Sequence, residues 1–366
     1  MPTWNDMGAA LNTLRELDVS AIREESERPV SVLCTGSRTL FEQASALLRA
    51  PGLNRYGPGG TSPLSFLDLR AVGGSAHQAD LVVAMIDGRE PIASADAAAL
   101  TRIAATAPTV IAICSVDPTE ATGTPQPAFA EAQIVVLPDL KNAEAAAALA
   151  TAIFKRLPGE LHLSFTRRLP GARDVYAREL IGSVSFTNAS YAAASAIPEQ
   201  IPILAVPFVA ADMIVLTKNQ ALMVYRLALA YGAPPEFRER LREVAPVIGG
   251  GLLWRQLARS LVALIPIWGV VPKVAIAYAG TYATGVAAGR WFADGELITG
   301  ARLRQLSAEA LQLGRQRAAE LVAVARNQVT PSSPLRRRVE QIRRRLPGAG
   351  RRPKRPVGEQ GGAENR

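Results

Sequence analysis

The residues best placed for chemistry follow a short apolar run near the start of the chain. Residues 30–36 end in Gly36, and a helical periodicity begins near Leu40, so the sequence predicts a strand, a turn and a helix. In a nucleotide-binding turn of this kind, Gly-Lys-[Ser/Thr] places a lysine on the β- and γ-phosphates and a hydroxyl on Mg²⁺. Here the turn reads Gly36-Ser37-Arg38-Thr39, and none of the five lysines in the chain follows a glycine.

We therefore interpret Gly36, Ser37, Arg38 and Thr39 as a vestigial nucleotide-binding turn. An alternative interpretation is a tight strand-to-helix turn in which Thr39 is the helix N-cap, because a hydroxyl there accepts a hydrogen bond from a free backbone N–H. Arg38 can also meet an anion at the helix N-terminus, or it can be solvated without a partner. The sequence predicts no catalytic residue in this turn.

The cysteines and histidines do not predict a metal site. Cys34 and Cys114 end apolar runs, where small buried thiols are common, and His77 and His162 share no ligand spacing with them. Two cysteines in 366 residues do not form a disulfide framework, which favours a reducing, cytoplasmic setting. We expect no metal and no bound cofactor.

The positive charge of the chain is concentrated at its C-terminal end. Of 41 basic and 32 acidic residues, 11 and 3 lie in residues 334–366, which leaves 30 and 29 for the rest. A segment rich in Pro, Gly and Arg is predicted to be disordered. Its arginines can bind anionic lipid, at about 1 kcal/mol per basic residue, or the phosphates of nucleic acid. Since no aromatic residue follows Phe292, specific nucleic-acid binding is not expected; a solvated tail without a partner is the third alternative.

The spacing of apolar residues divides the chain into an α/β part and an all-α part. Continuous apolar runs alternate with helical stretches over residues 29–158, which predicts a mostly parallel sheet covered by helices on both faces. Residues 159–330 show helical patterns only. The predicted strands are 30–35, 64–69, 80–86, 109–115 and 133–137, and the predicted helices are 40–49, 92–106, 142–156, 211–231, 236–244 and 296–328.

The two ends of the chain are predicted to lie outside these parts. Residues 1–28 carry Trp4, Met7, Leu11 and Leu14 at helical spacing, which indicates an amphipathic helix rather than a signal peptide. Residues 331–366 form the basic tail.

The order of elements over 30–157 resembles an Era-like or Ras-like GTPase domain. The run 78–87, Gln-Ala-Asp-Leu-Val-Val-Ala-Met-Ile-Asp, is similar to the third strand of that family. The run 108–117 is similar to the strand that leads into its guanine-reading motif, Asn-Lys-x-Asp. In the family that aspartate accepts two hydrogen bonds from guanine. Here the motif is Cys114-Ser115-Val116-Asp117, and only Asp117 matches.

Two further motifs of the family are also altered. Its Mg²⁺-supporting Asp-x-x-Gly corresponds to Asp68-Leu69-Arg70-Ala71, and its fifth-strand Ser-Ala motif corresponds to Pro138-Asp139-Leu140. With the phosphate turn and the guanine motif, four signatures have changed. The resemblance thus implies a GTPase-like fold with a lost or weak nucleotide site; the alternative is a divergent site that still takes GTP or GDP with Mg²⁺.

The helical part resembles a second family. Residues 196–295 are similar to YcjF-like proteins, a bacterial family of unknown function that is often fused to Era-like GTPase domains and tends to be membrane-associated. No catalytic residues are established for that module, so none is implied here. The positions that carry the resemblance include Asp212, Thr217, Gln220, Met223, Tyr231 and Gly232.

Two apolar stretches raise the question of membrane insertion. Residues 201–216 are shorter than the ~20 residues of a span, and residues 260–289 contain Lys273 near the middle. The connection between the two stretches is rich in arginine, which argues against placing it outside the cell. We favour a compact helical module that is soluble or docks on the inner leaflet over a two-span protein. A stripe of small residues suits close helix packing in either environment: Ala277, Thr281, Gly285 and Gly289.

The sequence thus predicts a non-catalytic, GTPase-like scaffold or partner-binding protein at the cytoplasmic face of the inner membrane. Its expected partners are anionic lipid, through the Arg-rich tail, and a protein that the sequence does not identify. The two alternatives are a divergent GTPase with weak nucleotide affinity and a basic-tailed protein associated with nucleic acid.

Overall fold

The computed structural model describes residues 18–50, 55–72, 75–115, 131–195, 205–236 and 270–295, and residues 301–317 except 303, 304 and 307. Only the backbone is described for 205–214 and 270–273. The strands are β1 (Val32–Gly36), β2 (Leu64–Phe66), β3 (Leu81–Asp87), β4 (Thr109–Cys114) and β5 (Gln133–Leu137). The helices are α1 (Ser20–Glu27), α2 (Arg38–Arg49), α3 (Ser94–Thr106), α4 (Ala143–Phe154), α5 (His162–Arg168), α6 (Arg173–Ser195), α7 (Ala205–Ala230) and α8 (Val270–Asp294).

The five strands form one sheet in the order β2-β1-β3-β4-β5, and every neighbouring pair is parallel. The predicted α/β class and all five predicted strands are confirmed, with ends that differ by a few residues. The physical reason is the continuous apolar character of runs such as Leu81–Asp87, because a parallel strand is buried on both faces and has no polar side to alternate with.

Alternate residues of each strand face two different helical layers. Cys34, Val83 and Val110 pack with residues of α2 and α4 on one face. On the other face, Leu33 and Val82 pack with residues of α3. This three-layer arrangement leaves the carboxyl ends of the strands at one edge of the sheet, where loops can form a site.

The helical region shares its core with the α/β part. The ring of Phe154, from α4, lies 5.9 Å from Phe165 of α5 and 6.4 Å from Tyr176 of α6. One buried apolar cluster contains these side chains together with those of β1, β3 and β4. The core therefore continues across residue 158, where the pattern of strands ends.

Helices α6, α7 and α8 pack on one another, and the helical residues among 301–317 lie against α8. The predicted end of α7 at Gly232 is confirmed. Gly232 has φ +88° and donates to Leu229 O, while the N–H of Ala233 donates to Ala228 O, both at 2.9 Å. These two bonds satisfy carbonyl groups that the end of the helix would leave free.

Helix α1 anchors the N-terminal segment to both parts. Ile22 is buried in the shared core, and Glu25 forms an ion pair of 2.6 Å with Arg226 of α7. The rest of the predicted N-terminal helix, most of the predicted helix 236–244, the ends of the predicted helix 296–328 and the basic tail lie outside the described residues.

Candidate functional site

The candidate site is the carboxyl edge of the sheet between β1 and β3. In an open parallel sheet the order of strands reverses at one point, and the helices that follow the two strands there lie on opposite faces. This leaves a crevice beyond the strand ends. With the order β2-β1-β3-β4-β5, that point lies between Gly36, which ends β1, and Asp87, which ends β3. The turn that the sequence analysis interprets as a nucleotide site therefore lies at the position where such folds bind ligands.

The turn from β1 to α2 is a tight connection and does not form a phosphate cradle. Strand β1 ends at Gly36 and helix α2 begins at Arg38, so Ser37 alone joins them. The N–H of Ser37 donates to Met85 O at 2.9 Å instead of facing the crevice. A phosphate-binding loop wraps its ligand with several consecutive backbone N–H groups between strand and helix, and this turn is too short to supply them.

The alternative assignment of Thr39 as the helix N-cap is wrong. Ser37 occupies that position, and its Oγ accepts a hydrogen bond from the N–H of Leu40 at 3.4 Å. Thr39 lies exposed in the first turn of α2. Sequence reasoning missed this because serine and threonine are both favoured N-caps, and the choice between them depends on the residue at which the strand ends.

Gly36 is required by the close approach of β3. Its φ is +91°, and a Cβ added there would lie 2.2 Å from the carbonyl oxygen of Met85. The glycine thus serves the packing of two neighbouring strands and the turn between them.

Arg38 is directed along its own helix and not into the crevice. Its Nε donates to Glu42 at 3.2 Å, and its guanidinium lies 5.2 Å from the centre of the Phe66 ring. The side chains of Arg38 and Glu42 are 70% and 63% exposed. An exposed pair of this kind contributes little stability and leaves the arginine hydrated.

Three aspartates at this edge of the sheet are held in turns. Asp87 accepts from the backbone N–H of Arg89 at 3.1 Å and pairs with its guanidinium at 2.9 and 2.5 Å. The hydrogen bond from the Arg89 side chain lowers the pKa of Asp87. Asp68 and Asp139 make the same turn, each with the backbone N–H two residues on, at 3.0 and 3.1 Å. The carboxylates therefore stabilise loops, as Asp commonly does.

Asp117, the remaining candidate for guanine recognition, lies outside the described residues. Ser115, which follows β4 at the same edge, has φ +68°, an uncommon conformation for a residue with a side chain.

In the described part of the chain, no group of three or more His, Cys, Asp or Glu side chains is placed to hold a metal ion.

Both thiols lie inside the sheet. Cys34 and Cys114 are buried, and burial raises the pKa of each to about 12. At pH 8 both thiols of the folded protein are therefore protonated and poor nucleophiles.

We predict that neither cysteine of the native protein reacts with a disulfide reagent at pH 8 faster than the protein opens, whereas both react at once in denaturant. Because the pKa is raised in the folded state, the protonated thiols favour folding below the pKa of the unfolded thiol, and this contribution is lost as pH rises towards 12. The measurement is the rate of thiol labelling with and without denaturant. A single fast-reacting thiol in the native protein would contradict the burial of Cys34 and Cys114.

Four of the six residues that carry the second resemblance have structural roles in the helical bundle. Gln220 donates to Thr281 Oγ1 at 3.1 Å, and Met223 is buried against α6 and α8. Tyr231 donates to Asp174 at 3.3 Å, and Gly232 ends α7. Thr217 lies half-buried on α7; Asp212 lies on the same helix, where only the backbone is described.

A buried polar network, missed by sequence reasoning, joins three helices of the bundle. Asn188 of α6 donates to Thr281 of α8 at 2.9 Å and accepts from Asn219 of α7 at 2.8 Å. Asn188 and Thr281 are fully buried. Such neutral, mutually satisfied groups fix the register of packed helices, since any shift leaves a buried amide without a partner.

The stripe of small residues on α8 packs inside this bundle. A Cβ at Gly285 would lie 2.7 Å from Ile181 of α6 and 3.0 Å from Met223 of α7. Thr281 of the stripe belongs to the polar network. The small side chains at these two positions therefore allow close approach of helices within the protein itself.

Among the residues that the structure describes, no helix combines the length and the hydropathy needed to cross a bilayer.

Comparisons of the chain with protein-family models, curated proteins and solved structures found no match.

Proposed function

We propose that this protein is a non-catalytic, GTPase-like scaffold that binds a protein partner at the cytoplasmic face of the membrane. The observation that carries the proposal is the β1–α2 turn, in which a single residue separates strand from helix at the point where a nucleotide-binding sheet needs a phosphate loop. The sheet is all-parallel with a switch point between β1 and β3, and a frame of that kind without a phosphate cradle suits binding of another protein better than turnover.

Two further observations support a scaffold. Asp68, which the resemblance expects to support Mg²⁺, accepts from the backbone N–H of Arg70, and the nearby Asp87 pairs with the Arg89 guanidinium, which reduces the availability of both carboxylates to a metal. The α/β part and the helical bundle share one core. A shared core keeps two surfaces in a fixed geometry, which a scaffold requires.

The first test is isothermal titration with GTP and GDP in the presence of Mg²⁺. We expect no binding heat at protein concentrations of about 50 µM and nucleotide up to about 2 mM, so that any Kd is weaker than about 1 mM. The reason is the absence of a phosphate cradle in the β1–α2 turn. Micromolar affinity would overturn the proposal.

A matched variant separates weak guanine recognition from non-specific binding. If the wild-type protein binds guanine nucleotides weakly and the Asp117→Ala variant does not, the divergent GTPase is the better description. Equal weak binding by both proteins, or equal binding of ATP, indicates that the guanine motif has no such role.

The membrane part of the proposal rests on the eleven basic residues of 334–366. We expect the full chain to float with vesicles that contain about one third phosphatidylserine at low salt, and to lose this binding at high salt. A chain that ends at residue 333 is the control and should stay unbound. Flotation that survives the truncation and high salt would contradict binding through the tail.

A further inference from the structure

Two arginines are buried where the helical bundle meets the α/β part. Arg167 lies at the end of α5 and Arg173 at the start of α6, with exposed fractions of 7% and 1%. Within the described ranges, no carboxylate lies within ion-pair distance of either guanidinium, and Glu27 and Glu236 act on Arg167 only from farther away. A buried charge without a counter-ion needs another source of negative potential.

Backbone carbonyl groups from two distant segments supply it. Arg167 Nη1 donates to the carbonyl oxygens of Leu229 and Ala233, at 3.0 and 2.7 Å, at the end of α7. Arg173 donates to those of Tyr56 and Gly57, at 3.1 and 2.9 Å. The end of a helix carries a partial negative charge, so the end of α7 is a suitable partner for Arg167.

The segment 55–60 is pressed against the bundle at three points. The N–H of Gly59 donates to Arg167 O at 2.8 Å, and the N–H of Arg55 donates to Ala293 O at 2.9 Å. A Cβ at Gly232 would lie 2.3 Å from Gly57 O. The same segment continues along the chain into β2. It thus links the bundle directly to the edge of the sheet.

The contact is also costly to keep closed. Burial lowers the pKa of Arg167, and it lowers that of Arg173 to about 10. Arg173 Nε has no hydrogen-bond partner among the described residues, and the neighbouring Asp174 accepts from Tyr231 instead. Opening would hydrate both guanidinium groups, which offsets part of the interactions lost.

We propose that Arg167 and Arg173, with the carbonyl groups they bind, form a reversible joint through which the bundle controls the segment before β2. The end of α7 and the segment 55–60 open and close as one unit, while the parallel sheet stays intact. A partner that draws the end of α7 away from Arg167 also releases the segment 55–60. The joint requires neither nucleotide nor lipid, so it can be tested independently of the proposed function.

Native-state hydrogen exchange on the full chain tests the joint without any substitution. The N–H groups of Arg55 and Gly59 donate across the joint to Ala293 O and Arg167 O, whereas that of Ala233 donates to Ala228 O within α7, so its exchange reports opening of the end of that helix. We expect their protection factors to agree within about threefold and to fall together with a weak dependence on urea. Amides of β3 and β4 should be better protected, and their protection factors should depend steeply on urea concentration. Three unrelated values, or exchange of all these amides with the sheet in one global event, would overturn the proposal.

The variant Arg173→Gln removes the charge from the joint, and Arg178→Gln is its matched control. Arg178 is exposed on the same helix, and among the described residues its side chain bonds only to the backbone of Asp174. For Arg173→Gln we expect protection of the three joint amides to fall about tenfold or more, with a change below about twofold in β3 and β4. The control should change neither group. A loss confined to the first turn of α6, or an equal loss throughout, would count against coupling.

Discussion

The variant Gly36→Ala is expected to lose about 3 kcal/mol or more of its free energy of unfolding, a size that only a few mechanisms produce. The residue has φ +91°, and an added Cβ would lie 2.2 Å from Met85 O. A left-handed backbone costs a residue with a side chain about 1–2 kcal/mol. The clash adds to that cost because Met85 is in a central strand, and neither strand can move without breaking ladder hydrogen bonds.

Urea denaturation followed by circular dichroism measures this loss, and insolubility of the variant would agree with it. Gly159→Ala is the control, since an added Cβ there meets no atom within 4 Å and its φ is not positive. That change should stay within about 1 kcal/mol of zero. A loss below about 1 kcal/mol for Gly36→Ala would mean that the turn is more adaptable than its geometry indicates.

The second large effect concerns the shared core. Phe165→Ala should lower the free energy of unfolding by about 3–5 kcal/mol, the usual range for a buried aromatic side chain. Phe165 is fully buried and lies edge-on to Phe154, which belongs to the α/β part. Its removal leaves a cavity between α4 and α5. Because one cluster spans both parts, the α/β part and the bundle should lose stability together.

The measurement is urea unfolding followed by both circular dichroism and tryptophan fluorescence, the latter reporting in part on Trp291 of α8. Phe186→Ala is a matched control, because Phe186 lies on α6 with 47% of its surface exposed, and the change should stay within about 0.5 kcal/mol. Two separate transitions in the wild-type protein would show that the core does not couple the two parts.

The predicted strands and the predicted end of α7 depended on local pattern and agree with the structure, whereas the local assignment of Thr39 as N-cap does not. The strand Leu81–Asp87 could be predicted because, in an α/β protein, a run of apolar residues with no alternation usually forms a parallel strand that is buried on both faces. The end of α7 could be predicted because glycine followed by proline stops a helix wherever it occurs. The missing lysine after Gly36 is also a property of the chain alone, so the proposal that this turn binds no nucleotide starts from the sequence.

Tertiary structure decided how the individual residues are used. Sequence pattern gives no sign that Arg167 and Arg173 are buried, because arginine is exposed in most proteins and the carbonyl groups that hold these two come from segments more than 60 and 110 positions away. The sequence likewise does not distinguish Asn188 and Thr281 from exposed polar residues of a helix. They are buried because three helices pack together around them. The sequence by itself determined the five strands, the helices α2, α3, α4 and α7, and the lack of a lysine after Gly36. Only packing decided which polar groups are enclosed, because burial depends on contacts between segments far apart in the chain.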